Sequence, residues 1–111
     1  MADSNSFMIA GVLHLPALPG APACVRPFSS VLDDAMRDAE ALVKGGIHAC
    51  IIENFGDAPF RASTVQPHVP AMMAVIGAAV QARFGAELSI GINVLRNDGH
   101  AALGVALACE A

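Results

Sequence analysis

The chain contains no tryptophan and no tyrosine, and its aromatic complement is five phenylalanines in 111 residues. A core with so few large rings is assembled from Ala, Val, Ile, Leu and Met, the residues that pack helices onto a parallel sheet. Cationic charge is scarce as well, with six Lys and Arg set singly against ten Asp and Glu for a net charge of -4. Without a basic stripe to follow a phosphate backbone, a nucleic-acid partner is excluded. Cysteine is limited to Cys24, Cys50 and Cys109, an odd number with no CxxC pair. Such spacing fits reduced, packed thiols and neither a disulfide framework nor a zinc site. The start "MADSNSFMIAG" lacks the charged end, long apolar run and cleavage site of a secretory signal, so a cytoplasmic location is expected. Residues 62–82 carry no Asp, Glu, Lys or Arg, but Gln66, Pro67, His68, Pro70 and Gln81 interrupt them. Their apolar centre, residues 71–80, is short against the ~20 residues of a membrane span, and no transmembrane segment is expected.

What is present is apolar and ordered: 55% of residues are hydrophobic and 14% charged, the balance of a single folded domain. Residues 1–6 read as a tail and residues 7–111 as one continuous unit. "FMIAGVLHL", residues 7–15, is a nearly unbroken apolar run, as in a strand covered on both faces. After the proline-rich "PALPGAPACVRPF", Ser30 and Asp33 form a capping-box-like start, and Leu32, Ala35, Met36, Ala39, Leu42 and Val43 fall on one helical stripe. Lys44 and Gly45-Gly46 close that helix. A second run, "IHACII", reaches Glu53, and after the loop "NFGDAPFRAST" a helix is expected over residues 66–84. Its stripe is Val69, Met72, Met73, Ile76, Val80 and Phe84. "LSIGINVL", residues 88–95, is the third strand, and a third helix follows with Asn97 or Asp98 as its cap.

Strand and helix thus alternate three times with a period of about forty residues, the pattern of right-handed βαβ crossovers and a parallel sheet. Loops after strands are long and loops after helices short, which places function at the C-terminal edge of the sheet. A doubly wound nucleotide-binding domain would need a glycine-rich first turn, and "LHLPALPG" is not GxGxxG. A (β/α)8 barrel has no such requirement, although it takes about 250 residues and eight units where this sequence supplies three.

The three strands end in polar residues: His14 after the first, Glu53 and Asn54 after the second, and Asn93, Arg96, Asn97 and Asp98 after the third. In a barrel they converge on one mouth, where an imidazole, a carboxylate and several amides could surround a small polar ligand. Each also has a plainer role. Asn97 or Asp98 caps a helix, Glu53 pairs with Arg96 across neighbouring strands, and His14 is a core histidine bonded to backbone. A metal site built from His14 and Glu53 is disfavoured by the absence of any two-ligand spacing. His48, His68 and His100 read as structural or exposed. The loop after Glu53 runs to about a dozen residues against an ordinary 2–6. Asp57 and Gly56 can simply turn the chain there, or Phe60 and Arg61 can act as a lid.

Three stretches, "GVLHLPALPGAP", "GGIHACIIENFGDAPF" and "GINVLRND" with its following Ala-rich helix, together resemble the N-terminal part of the BtpA/SgcQ family from about Ile9 onward. The resemblance implies a single (β/α)8 TIM barrel of the ribulose-phosphate-binding type, here represented by its first three β/α units. It makes His14, Glu53, Asn54, Asp57, Asn93, Arg96, Asn97 and Asp98 the family-type positions at the mouth, without assigning their chemistry. The family's best-known members are cyanobacterial factors for the accumulation of photosystem I reaction-centre proteins, peripheral at thylakoid membranes. Others carry enzyme names, including nucleosidase-like ones. The resemblance therefore implies either an enzyme acting on a sugar-phosphate-like or nucleoside-like metabolite or a non-catalytic biogenesis factor. No cofactor follows from it. The later strands are missing, so oligomerisation or a second half would have to complete the barrel. Activity is not expected of these units alone, and in isolation they should self-associate or stay partly molten.

Overall fold

A computed structural model of the chain describes residues 7–111; the expected tail, residues 1–6, lies outside the described residues. The elements follow the order β1 (Ala10–His14), α1 (Phe28–Lys44), β2 (Ala49–Glu53), a 3-10 turn at Phe55–Asp57, α2 (His68–Phe84), β3 (Ser89–Asn93) and α3 (Gly99–Cys109). The strands form one parallel sheet in the order β1-β2-β3, in register Ala10↔Ala49↔Ser89 through His14↔Glu53↔Asn93. Sequence order and spatial order coincide, so each crossover of the usual hand puts its helix on the same face. Accordingly α2 packs against both α1 and α3.

Strand alternation then divides the side chains. Leu13, Cys50, Ile52 and Ile90 turn toward the helices and meet Val31, Ala35 and Ala39 of α1, Met73, Ile76 and Val80 of α2, and Val105 and Cys109 of α3. Val12, Ile51 and Gly91 form the middle row of the opposite face, which no helix covers; Val12 is 44% exposed. α3 likewise leaves Leu103 and Leu107 at 69% and 83% exposure, beside an apolar groove along β3. Both outer strands have a free edge among the described residues.

β2 starts at Ala49 rather than Ile47, α2 at His68 rather than Gln66, and β3 spans Ser89–Asn93 rather than 88–95; two starts shift further. β1 starts at Ala10 rather than Phe7 because its partner begins at Ala49, and residues before Ala10 have no strand opposite them. α1 starts at Phe28, capped by Pro27 with φ -66° and no side-chain cap, since proline is already set for helix entry. Ser30 therefore lies inside the helix, where its Oγ accepts from Arg26 Nη2 at 2.6 Å. The third cap is as expected: Asp98 Oδ1 accepts from Ala101 N–H at 2.9 Å. Its Oδ2 accepts from Val65 N–H, also at 2.9 Å, which ties the segment before α2 to the start of α3.

The loops after β1 and β2 dock backbone to backbone. Gly56 N–H donates to Leu15 C=O at 2.9 Å, and a Cβ at position 56 would stand 2.5 Å from Pro16 C and closer still to Ala17 N. Only glycine fits that approach. Gly56→Ala is expected to destabilise the fold by about 1–3 kcal/mol, whereas Gly104→Ala, in a helix with nothing near its added methyl, should stabilise it by about 0.5–1 kcal/mol. Urea unfolding of both variants in the same background checks the pair; equal effects would contradict the docking.

The Ala101 N–H, followed by the Val65 N–H, holds the Asp98 carboxyl below its ordinary pKa. A carboxylate whose folded pKa is depressed contributes stability above the unfolded value and loses it as pH falls through the folded one. The stability gap between the parent and Asp98→Asn should thus be widest near neutrality and close as acidification passes through and below the ordinary carboxylate range. A gap independent of pH, followed by thermal unfolding, would contradict this role.

Candidate functional site

At the C-terminal edge of the sheet the pleat sends successive residues to opposite faces, and this splits the expected mouth residues into two groups. His14, Glu53 and Asn93 occupy one register row and point to the face without helices. Asn54 and Asp57 belong to the helix side.

In the first group the three side chains are joined. Asn93 Nδ2 donates to Glu53 Oε2 at 2.7 Å, and His14 Nε2 lies 3.5 Å from Glu53 Oε1. The His14 ring stacks on Phe55, with centroids 4.4 Å apart and planes inclined by 22°. The Glu53 side chain is 16% exposed and that of His14 53%. Glu53 is thus shielded but reachable, and both of its oxygens face polar groups that can orient them. His14 is not a core histidine: its strand position turns it to the uncovered face. Glu53 does not pair with Arg96 either, because its in-register neighbours on both sides reach it first. Such a row can accept and return a proton and hold a hydroxyl or amide against a carboxylate.

The second group closes a cleft between the loops. Asn54 is 1% exposed; its Oδ1 accepts from Leu95 N–H at 2.6 Å and its Nδ2 donates to Leu95 C=O at 3.0 Å. The same amide group reaches Asp57 Oδ2 at 3.4 Å, while Asp57 Oδ1 accepts from Leu18 N–H at 2.8 Å. Burial pushes the Asp57 carboxyl above its ordinary pKa; the Leu18 N–H, Asn54 and His68 act against that rise. Above them lies an open cleft of about 130 Å³, walled by the proline-rich loop after β1, by Pro59, Phe60 and Arg61, and by the first turn of α2.

The remaining expected residues sit in the loop after β3. Arg96 is exposed, and its N–H donates to Arg61 C=O at 3.3 Å. Asn97 adopts φ 67°, a left-handed turn conformation that asparagine tolerates, and Asp98 is the cap described above. Of the six basic residues, Arg26, Arg37, Lys44 and Arg83 have carboxylate partners. Arg61 and Arg96 have none among the described residues, and they are the two at this edge. No group of three or more His, Cys, Asp or Glu is placed to hold a metal ion among the described residues, and no described helix is long and apolar enough to cross a membrane.

His68 was read from sequence as structural or exposed. It is exposed, but it also borders the cleft. The signal for it was the pairing of a proline-rich loop after β1 with a long loop after β2, two segments that have to meet above adjacent strands.

A family model described as BtpA family matches residues 5–111. An uncharacterized protein of Archaeoglobus fulgidus is 42% identical over 93% of this chain and 40% of its own length. An uncharacterized protein of Thermococcus kodakarensis is 42% identical over 98% of this chain and 41% of its own. The photosystem I biogenesis protein BtpA of Synechocystis is 41% identical over 88% of this chain and 33% of its own. The chain therefore spans about 40% or less of the length of these relatives. No solved structure matches it. With the whole described fold inside the matched region, the chain belongs to the BtpA family.

Proposed function

We propose that this chain forms three consecutive units of a (β/α)8 barrel of the ribulose-phosphate-binding type, and that the barrel binds and transforms a small polar metabolite at its C-terminal mouth. Support for the barrel is the unreversed strand order with helices on one face only. A doubly wound sheet reverses its order and covers both faces. The uncovered face then becomes the barrel interior, and relatives more than twice as long as this chain have room for the remaining strands.

The observation that carries the chemistry is the joined row of His14, Glu53 and Asn93. Glu53 is the acid/base group, with its carboxylate oriented by the Asn93 amide. His14, braced by Phe55, is its partner or a hydrogen-bond donor to substrate. Arg96, free of carboxylate partners among the described residues, contacts an anionic substituent. A sugar phosphate or a nucleoside-like molecule fits that set.

In the protein as its source makes it, Glu53→Gln should lower turnover of whichever such metabolite the parent consumes by at least about 100-fold. Far-ultraviolet circular dichroism should be unchanged. Undiminished turnover would remove Glu53 from the mechanism.

A second reading, a non-catalytic factor for photosystem I proteins, is favoured by the name of the Synechocystis relative. The archaeal relatives are as similar, and archaea carry no photosystem I. That reading requires a phototrophic source, in which deleting the gene should lower photosystem I reaction-centre proteins while Glu53→Gln restores them in full. A source without photosystem genes would end it.

A further inference from the structure

The cleft on the helix side has a built character that the Glu53 row does not explain. Its apolar lining is Pro19, Phe60 and Val65, half-buried, over the buried Leu18 and Val69. The polar groups beneath it are already committed, Asn54 to Leu95 and Asp57 to Leu18. The rim is different, since Arg61, Gln66 and His68 are exposed there.

Two details of the rim bear on what it can hold. Gly20 holds φ +101°, and a Cβ on it would lie 2.5 Å from His68 Nε2. The proline-rich loop thus leaves room for that imidazole where any other residue would displace it. Arg61 lines the cleft at an exposed position without a carboxylate partner among the described residues, in a chain where four of the other five cations have one.

We propose that this cleft is a second ligand site, distinct from the Glu53 row, for a small organic oxyanion: a compact apolar body carrying one carboxylate or phosphate group. The body rests on Pro19, Val65 and the Phe60 ring, the half-buried apolar side chains of the lining, in a volume of about 130 Å³ that matches one six-membered ring. The oxyanion stays at the rim, where Arg61 offers its planar fork and His68 a ring N–H. Asp57 also lines the cleft, with its two oxygens engaged by Leu18 N–H and the Asn54 amide. The side chains of Glu53 and Asn54 leave opposite faces of the sheet, so the two sites share a strand end without sharing a cavity.

The test uses benzoate, phenylphosphate, inorganic phosphate and neutral benzyl alcohol as probes on the protein purified from its source, with binding followed by calorimetry. Saturable millimolar or tighter binding of benzoate or phenylphosphate is expected, at least about tenfold tighter than inorganic phosphate and benzyl alcohol; whichever oxyanion binds better identifies the head group. Arg61→Ala and His68→Ala, both at exposed positions, should each weaken that binding by about tenfold while leaving benzyl alcohol unaffected. Glu53→Gln should leave it unchanged, so that a failure of the catalytic reading and a failure of this one remain separable. The proposal is overturned if neither oxyanion binds, if benzyl alcohol or inorganic phosphate binds equally well, if Arg61→Ala has no effect, or if Glu53→Gln abolishes binding.

Discussion

The Asn54 side chain is the interaction on which the working edge of this protein depends. Its amide closes both backbone bonds of Leu95, one through the 2.6 Å contact to the N–H and one through the 3.0 Å contact to the carbonyl. It thereby extends the β2–β3 pairing past the last ladder pair, Glu53↔Asn93. A buried amide that left those groups unpaired would cost about 1–3 kcal/mol for each group. The clamp sets where the loop after β3 departs, and with it Arg96, the turn at Asn97 and the cap at Asp98. Because Asn54 faces the helices, the preceding residue must face away, and Glu53 is delivered to the uncovered side next to His14 and Asn93.

The alternation of strands and helices was readable in the sequence because short, nearly unbroken apolar runs alternate with longer helical segments, with Gly45-Gly46 and Gly85 marking where two of those segments stop. Of the expected α2 stripe, Val69, Met73, Ile76, Val80 and Phe84 are buried and Met72 is partly buried against the core, and Asp98 caps its helix as expected. The start of β1 was not readable, since a strand's ends depend on where its partner begins and the apolar Phe7–Ile9 carry no information about Ala49. The start of α1 was missed because a capping-box pattern competed with Pro27, whose fixed φ prevailed. The candidate site was legible as a set and not as an arrangement. Nothing local states that Glu53 and Asn54 part company across the sheet, and the contacts Asp57 to Leu18 and Asp98 to Val65 join loops more than thirty positions apart.

The two groups suit different tasks. The Glu53 row is a hydrogen-bonded set of side chains on a rigid sheet edge, as general acid/base chemistry requires. The cleft sets an apolar lining beside the exposed Arg61 and His68, groups that suit an anionic ligand. Long loops after β1 and β2 connect them, and the contact of Gly56 with the chain at Leu15–Ala17 holds both loops in place before any ligand arrives. Short loops after the helices make no comparable contact.

The account rests on the uncovered face of the sheet becoming the interior of a closed barrel. An experimental structure of the protein as its source produces it tests this most directly. The account predicts a fourth parallel strand on the β3 edge and the His14–Glu53–Asn93 row turned inward at the mouth. A second layer of helices packed over Val12, Ile51 and Gly91 would contradict it.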